Sequence, residues 1–200
     1  MLKFLTSRRS YKRPFVERPV DPLLIEKIVE TTRWAPSAHN AQPWRFIVVV
    51  DKERRQTLAK EMGILFRDDL AKTGLSPSQV QVRVKHSVDV FTSAPVLVLV
   101  CGETAGTMDV YPDDSRRAAE STMFIQSIAN AICYFMLAAH ACSLATSWYC
   151  APLFAKTTVR DVLHLPPAWD PQAFVTVGYP TGAPLTPPAR QPVEAILKFM

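Results

Sequence analysis

The sequence predicts an α/β or α+β chain in which helices alternate with about three or four short buried strands. Three observations carry that reading. Helical stripes and β-branched runs take turns along the chain. The stretch from Ser121 to Ala155 holds no charged residue. Glycine is scarce, 6 against 17 prolines, and no repeat or low-complexity block interrupts the 200 residues. A chain of that length buries about 70% of its unfolded surface, enough for one domain spanning residues 1–200.

Each element has its own signal. Asp21-Pro22 reads as an N-cap followed by proline at the first helical position. Leu24, Ile25, Ile28, Val29 and Thr32 then form a stripe that stops at Pro36. "RFIVVVD" (45–51) is a β-branched run short enough for a buried strand. A charged helix follows over about 52–62. "GILFRDDLAKTG" and "SPSQVQVRVKHSVDVF" read as two more helical stretches around a break at Gly74. "APVLVLVCG" (94–102) is a second strand, 103–114 a polar loop, and "AFVTVGYP" (173–180) a third strand. "PVEAILKF" (192–199) reads as an extended tail.

The central stretch predicts a buried helix. Ile125, Ile128, Ile132, Phe135 and Ala139 make one face, and Phe124, Ala131, Tyr134 and Ala138 another. A helix apolar all round is a buried one. Its longest strictly apolar run, "AICYFMLAA", falls well short of the roughly 20 residues a membrane span needs, so no membrane is expected. A helix this apolar is hard to cover within one subunit of this size, and burial against a second copy is the simpler solution.

The net charge is +5. Lys3, Arg8, Arg9, Lys12, Arg13 and Arg18 place much of the positive charge in the first 18 residues. A transit peptide, a nucleic-acid arm, a solvated basic strand and a site for a small anion such as a phosphate ester are the competing readings. No helix-turn-helix, zinc-finger or aromatic RNP pattern supports nucleic acid, and the small anion is preferred. In an extended "SRRSYKRPF" (7–15), Arg8, Ser10 and Lys12 would line one side and Arg9 and Tyr11 the other. No G-x-G-x-x-G is present, so an anion must be held by side chains.

Cys101, Cys133, Cys142 and Cys150 lack C-x-x-C spacing, and three lie in apolar surroundings; they read as reduced core residues in a cytoplasmic protein. His39, His86, His140 and His164 show no metal-ligand spacing, so no metal is expected. The segment "TTRWAPSAHNAQPWRF" (31–46) is unusual for a plain connection. Ser37, His39, Asn40 and Gln42 stand between Pro36 and Pro43 and two indoles, Trp34 and Trp44.

Taken in order, "SRRSYKRPF", "APSAHNAQPWRFIVV", "LATSWYCAP" and "VGYP…PPARQPVEAIL" resemble the nitroreductase family of FMN enzymes over nearly the whole chain. The resemblance implies an α+β fold: a three-layer α/β/α-like sandwich with a mixed sheet and an intertwined homodimer around the long central helix. It implies FMN at the subunit interface. Arg8, Arg9 and Ser10 would hold the phosphate and ribityl chain, and Lys12 would sit at the N1/O2 edge, where positive charge favours the anionic reduced flavin. Pro36, Ser37, Ala38, Asn40 and Gln42 would come from the partner subunit. Tyr149, Cys150 and Ala151 would pass beside flavin N5, and Arg190 would be a second phosphate ligand. A basic residue near O2 would be Arg83 or Lys85. Many relatives carry a lysine where Pro188 stands, so the clamp is weaker on that side.

The implied activity is a ping-pong two-electron reduction, with NAD(P)H as transient donor and an electron-poor small-molecule acceptor such as a nitroaromatic or quinone. No side chain need act as acid or base; the chemistry belongs to the flavin. "TTVRDVLHLPPAWDPQAFVTVGYP" also looks like the flavin-binding C-terminal domain of coenzyme F420 γ-glutamyl ligase. A deazaflavin-binding protein, a non-catalytic flavin-binding dimer and a basic nucleic-acid-binding dimer are therefore the alternatives.

Overall fold

A computed structural model describes residues 2–183 and 185–200. Six helices are assigned: α1 (Leu2–Ser7), α2 (Pro22–Thr32), α3 (Lys52–Ala71), α4 (Pro77–Ser93), α5 (Asp114–Ala141) and α6 (Lys156–Leu163). Four strands are assigned: β1 (Trp44–Val49), β2 (Val96–Glu103), β3 (Ala145–Tyr149) and β4 (Trp169–Gly178). The strands form one sheet in the order β1-β2-β4-β3, every pair antiparallel. Parallel pairing enters only as an isolated bridge between Ser10 and Thr146, which lays the N-terminal segment along β3.

The α+β sandwich follows from the two central strands. Along β2, Val96, Val98 and Val100 face α2 and α5, while Leu97, Leu99 and Cys101 face α3, α4 and α6. Alternation sends neighbouring side chains to opposite faces. Because both faces are covered, the strand reads as one unbroken apolar run. Ile25, Ile28, Phe124, Ile128, Ile132 and Phe135 close one layer. Leu58, Met62, Phe91, Val159 and Leu163 close the other. β1 lies at the sheet edge and is only partly buried, with Val48 exposed, which tempers the expectation of a buried strand there.

Local chemistry sets the helix starts. Asp21, Asp51 and Asp113 accept from backbone N–H groups of the first turns of α2, α3 and α5. Ser76 and Gln79 form a capping box at α4. Helix α3 runs straight through Gly63 rather than breaking there. A Cβ at Gly63 would meet Val88 Cγ2 at 3.2 Å, so the missing side chain serves the close approach of α4. At Gly102 a Cβ would lie 2.2 Å from Phe124 Cζ, which lets α5 settle onto β2.

Helix α5 is long and apolar enough to cross a membrane by length and composition, yet only 44% of its most apolar window is buried in the chain. One side carries the core. The other, beyond the charged first turn and including Thr122, Ile125, Gln126, Cys133 and Tyr134, is exposed and uncharged. β3 was not foreseen as a strand; it begins three residues after α5 ends, across a turn with Ser143 at φ 60°. The C-terminal segment from residue 185 holds a single 3₁₀ turn (Val193–Ala195), and its Ile196, Leu197 and Phe199 are exposed.

Candidate functional site

Helix α1 ends at Ser7, and the chain becomes extended only at Ser10. Tyr11 then donates its backbone N–H to Thr146 O at 2.9 Å and buries its ring to 5% exposure. The expected alternation therefore begins one step late. Ser10 and Lys12 are exposed opposite Tyr11, but Arg8 and Arg9 face the same basin.

That basin, about 350 Å³, is lined by Ser7, Arg8, Arg9, His140, Ser143 and Thr146 among others. Arg8 Nη1 and Arg9 Nε are shielded from solvent and have no hydrogen-bond partner among the described residues. Arg9 is held in place by its Nη1, which donates to Thr6 O at 2.5 Å and Arg8 O at 2.8 Å. The His140 ring stacks on Phe4 with centroids 5.0 Å apart, and its Nε2 lies 2.8 Å from Ser7 Oγ. Burial, and then the Arg8 and Arg9 charges, hold the His140 pKa below the ordinary imidazole value. Unpaired guanidinium donors in a shielded basin are costly alone and well matched to an anion with several acceptor oxygens.

Tyr11 also forms a wall of a groove that leads away from the basin. The first chamber is lined by Tyr11, Lys12, Phe15, His86, Tyr149 and Thr176 among others. The second shares His86 and Tyr149 and adds Arg83 and Phe66. The third, about 330 Å³, shares Phe66 and Ser87 and is walled by Met62, Leu65, Ala151 and Phe154. Lys12 and the Tyr149–Ala151 stretch, far apart in sequence, thus line one groove. Arg83 reaches it, whereas Lys85 is spent on an ion pair with Asp89 at 2.6 Å on the surface. Cys150 is exposed rather than packed, as is Cys133; Cys142 is half-buried, and Cys101 alone is a buried thiol, its pKa pushed up to about 12 by burial first.

The 36–42 loop lies elsewhere. Ala38 N–H donates to Ser127 Oγ at 3.1 Å, and Asn130 Nδ2 donates to Pro36 O at 3.3 Å, so it packs on the middle of α5. Inside it, Gln42 N–H donates to Ser37 Oγ at 3.1 Å and Gln42 Nε2 to Asn40 Oδ1 at 3.3 Å. His39, Asn40 and Gln42 have φ of 54°, 54° and 47°. Three left-handed non-glycine residues in one loop are stored strain of the kind found at functional sites. Trp44 is core at 7% exposure, whereas Trp34 is 75% exposed under the Arg33 guanidinium. From Ser127 to His140 the α5 axis rises about 20 Å, so within one chain the loop and the arginine basin stand apart. Arg190 lies on the C-terminal segment and donates only to Pro188 O and Ala189 O, touching neither basin nor groove.

Sequence reasoning missed His140 and His86, which tertiary packing alone brings to the basin and groove. It also missed a cluster of His39, Asp109 and Glu120, whose candidate donor atoms lie within 4.8 Å of one another. The spacing of the three in the chain carries no recognisable pattern.

A three-layer body with an arginine basin opening into an aromatic groove has the shape and charge to suit a flat ligand with an anionic tail. The chain belongs to the nitroreductase family, whose model, described as the Nitroreductase family, matches residues 5–179, and its class is therefore oxidoreductase. It is 29% identical over 191 residues to an iodotyrosine deiodinase of Haliscomenobacter hydrossis, covering 92% of this chain and 81% of the relative. It is 27% identical over 173 residues to a 5,6-dimethylbenzimidazole synthase of Rhodospirillum rubrum, covering 84% of this chain and 76% of that one. The solved structure of a nitroreductase-type protein in complex with FMN, from Desulfovibrio desulfuricans, superposes with a TM-score of 0.71 at 25% identity, covering 98% of this chain and 94% of the other.

Proposed function

We propose that the protein is an FMN-dependent oxidoreductase that works as a homodimer, with NAD(P)H as donor and an electron-poor aromatic molecule as acceptor. The observation that carries the reading is the pair of shielded, unpartnered donors Arg8 Nη1 and Arg9 Nε in one basin. Their fit to a phosphate is specific: guanidinium pairs are directional and charge-assisted. When bound, FMN supplies reversible two-electron chemistry at its N5.

The chain's own residues then have distinct tasks. Arg8, Arg9 and Ser10 bind the phosphate end. Lys12 and Arg83 set positive charge along the groove. Tyr149, Cys150 and Ala151 supply the backbone wall opposite. Met62, Leu65, Phe66 and Phe154 exclude water from the chamber beside Ala151, and a chamber so lined suits a flat apolar acceptor. The relatives' names describe different substrates, so the acceptor's flat apolar shape is inferred from this lining, and its electron-poor character from the family resemblance.

Dimerisation is supported by the exposed, uncharged side of α5, by the exposed apolar C-terminal segment, and by the separation of the 36–42 loop from the basin. A second copy packed along α5 would carry its Pro36, Ser37, Ala38, Asn40 and Gln42 toward the first copy's groove, and Arg190 with the tail.

The test is a visible absorption spectrum of the purified protein, repeated on heat-released supernatant after FMN soaking and desalting. About one FMN per chain, with oxidation of reduced nicotinamide when a nitroaromatic or quinone is added, is the expected result. Failure to retain FMN after soaking would overturn the reading.

A further inference from the structure

We propose that His39, Asp109 and Glu120 form a binding site for one divalent transition-metal cation of the zinc type, tying the 36–42 loop to the N-terminal half of α5. One donor atom from each residue lies within 4.8 Å of the other two. The three come from separate elements: the strained loop, the β2–α5 connection, and α5 itself. The inference rests on these donors and is independent of the flavin reading.

Glu120 provides the second observation. It is 3% exposed. One carboxylate oxygen, Oε1, accepts the Asp109 backbone N–H at 3.2 Å. The other, Oε2, is shielded from solvent and has no hydrogen-bond partner among the described residues. A buried carboxylate with an orphaned oxygen is expensive unless a cation satisfies it. Among the described residues, none of the three side chains makes an ion pair. Arg116 and Arg117, the basic groups nearest in sequence, pair with Asp113 and Asp114 instead.

The outer contacts fit a ligand role. Tyr111 OH donates to Asp109 Oδ2 at 3.3 Å, which orients that carboxylate and leaves Oδ1 to face inward or to water. Two carboxylates balance a 2+ charge, and an imidazole favours Zn²⁺ over the hard cations Mg²⁺ and Ca²⁺. Ligands about 2 Å from an ion lie roughly 3.3 Å from one another, inside the 4.8 Å bound on these donors, and the exposed His39 and Asp109 have the freedom to adjust. With three protein donors, the remaining coordination position goes to water.

Untagged protein is stripped with EDTA, desalted and dialysed against ZnCl₂ or MgCl₂. Metal content is read by mass spectrometry, and thermal unfolding by circular dichroism. We expect one Zn²⁺ per chain, a higher Tm with Zn²⁺, and no such effect of Mg²⁺. His39→Ala and Asp109→Asn are expected to weaken Zn²⁺ binding by at least about tenfold while keeping the metal-free spectrum. Glu120 is left in place because its burial makes a variant prone to unfold. Zn²⁺ below one per chain, or variants that bind it as tightly as the parent, would overturn the proposal.

Discussion

The phenol oxygen of Tyr11 accepts the backbone N–H of Thr181 at 2.6 Å and lies 2.8 Å from Thr181 Oγ1. Two pieces of chain 170 positions apart are joined at one buried atom. The ring is wedged beside Phe15, with centroids 5.1 Å apart. The segment bearing Arg8, Arg9 and Lys12 is thereby anchored to the end of β4. Tyr11→Phe keeps the ring and leaves the Thr181 N–H without that partner. The expected loss is about 1–3 kcal/mol, read as a lower urea midpoint at unchanged slope. FMN affinity falls with it.

Arg8 is the cleanest probe of the anion basin, because its orphaned Nη1 has no protein partner to lose. One charge-assisted hydrogen bond is worth about 1.5–3 kcal/mol. Arg8→Gln is therefore expected to raise the FMN Kd by at least about tenfold, measured by quenching of flavin fluorescence. Riboflavin, which lacks the phosphate, should bind parent and variant alike. Equal loss for both ligands would place Arg8 away from the phosphate.

His140 gives the basin a pH signature. Its pKa is lowered by burial first and then by Arg8 and Arg9, so the unfolded chain binds its proton more readily than the folded one. The sign follows from linkage: where the unfolded state holds more protons, stability rises with pH. Without anion, Tm should therefore fall as pH drops below about 6.5 and level off above it. His140→Gln should flatten that slope, and added phosphate should reduce it in the parent protein. A slope unchanged in the variant would assign it to other groups.

Ile125 stands 54% exposed on the uncharged side of α5. Ile125→Asp places a charge where the proposed partner packs while touching little of its own chain. Light scattering should find the parent as a dimer and the variant as a monomer. The monomer should keep its far-UV spectrum and lose FMN retention. A dimer that survives the substitution, with FMN still bound, would put the subunit contact elsewhere.

Much of the fold was legible because its signals are local. Asp21-Pro22 marks a helix start in the sequence, and "APVLVLVCG" announces a buried strand. What was not legible depends on distant partners. Gly63 looks like a break until Val88 is seen against it. β3 hides because Ala145–Tyr149 continues an uncharged run, and the turn before it uses Ser143 rather than glycine. At the site, Arg8, Arg9 and Lys12 stood out as a basic cluster read from the residues alone, and Tyr149 through a motif that the resemblance supplied. His140, His86 and Glu120 did not, since each acquires its meaning only from side chains far away in the chain. The expectation that Cys150 is packed inside failed for a similar reason: an apolar stretch of sequence does not say which of its residues turn outward.

The tether between Tyr11 and Thr181 also has a consequence for biosynthesis. A ribosome makes Arg8 and Arg9 well before Thr146 and Thr181, which fix their segment. During translation the two arginines must wait in a loose, positively charged segment, open to any passing polyanion. The pocket they form is completed among the last steps of folding, when the end of β4 arrives to receive the tyrosine. If the pocket holds FMN as proposed, nascent chains halted before residue 181 will not retain it.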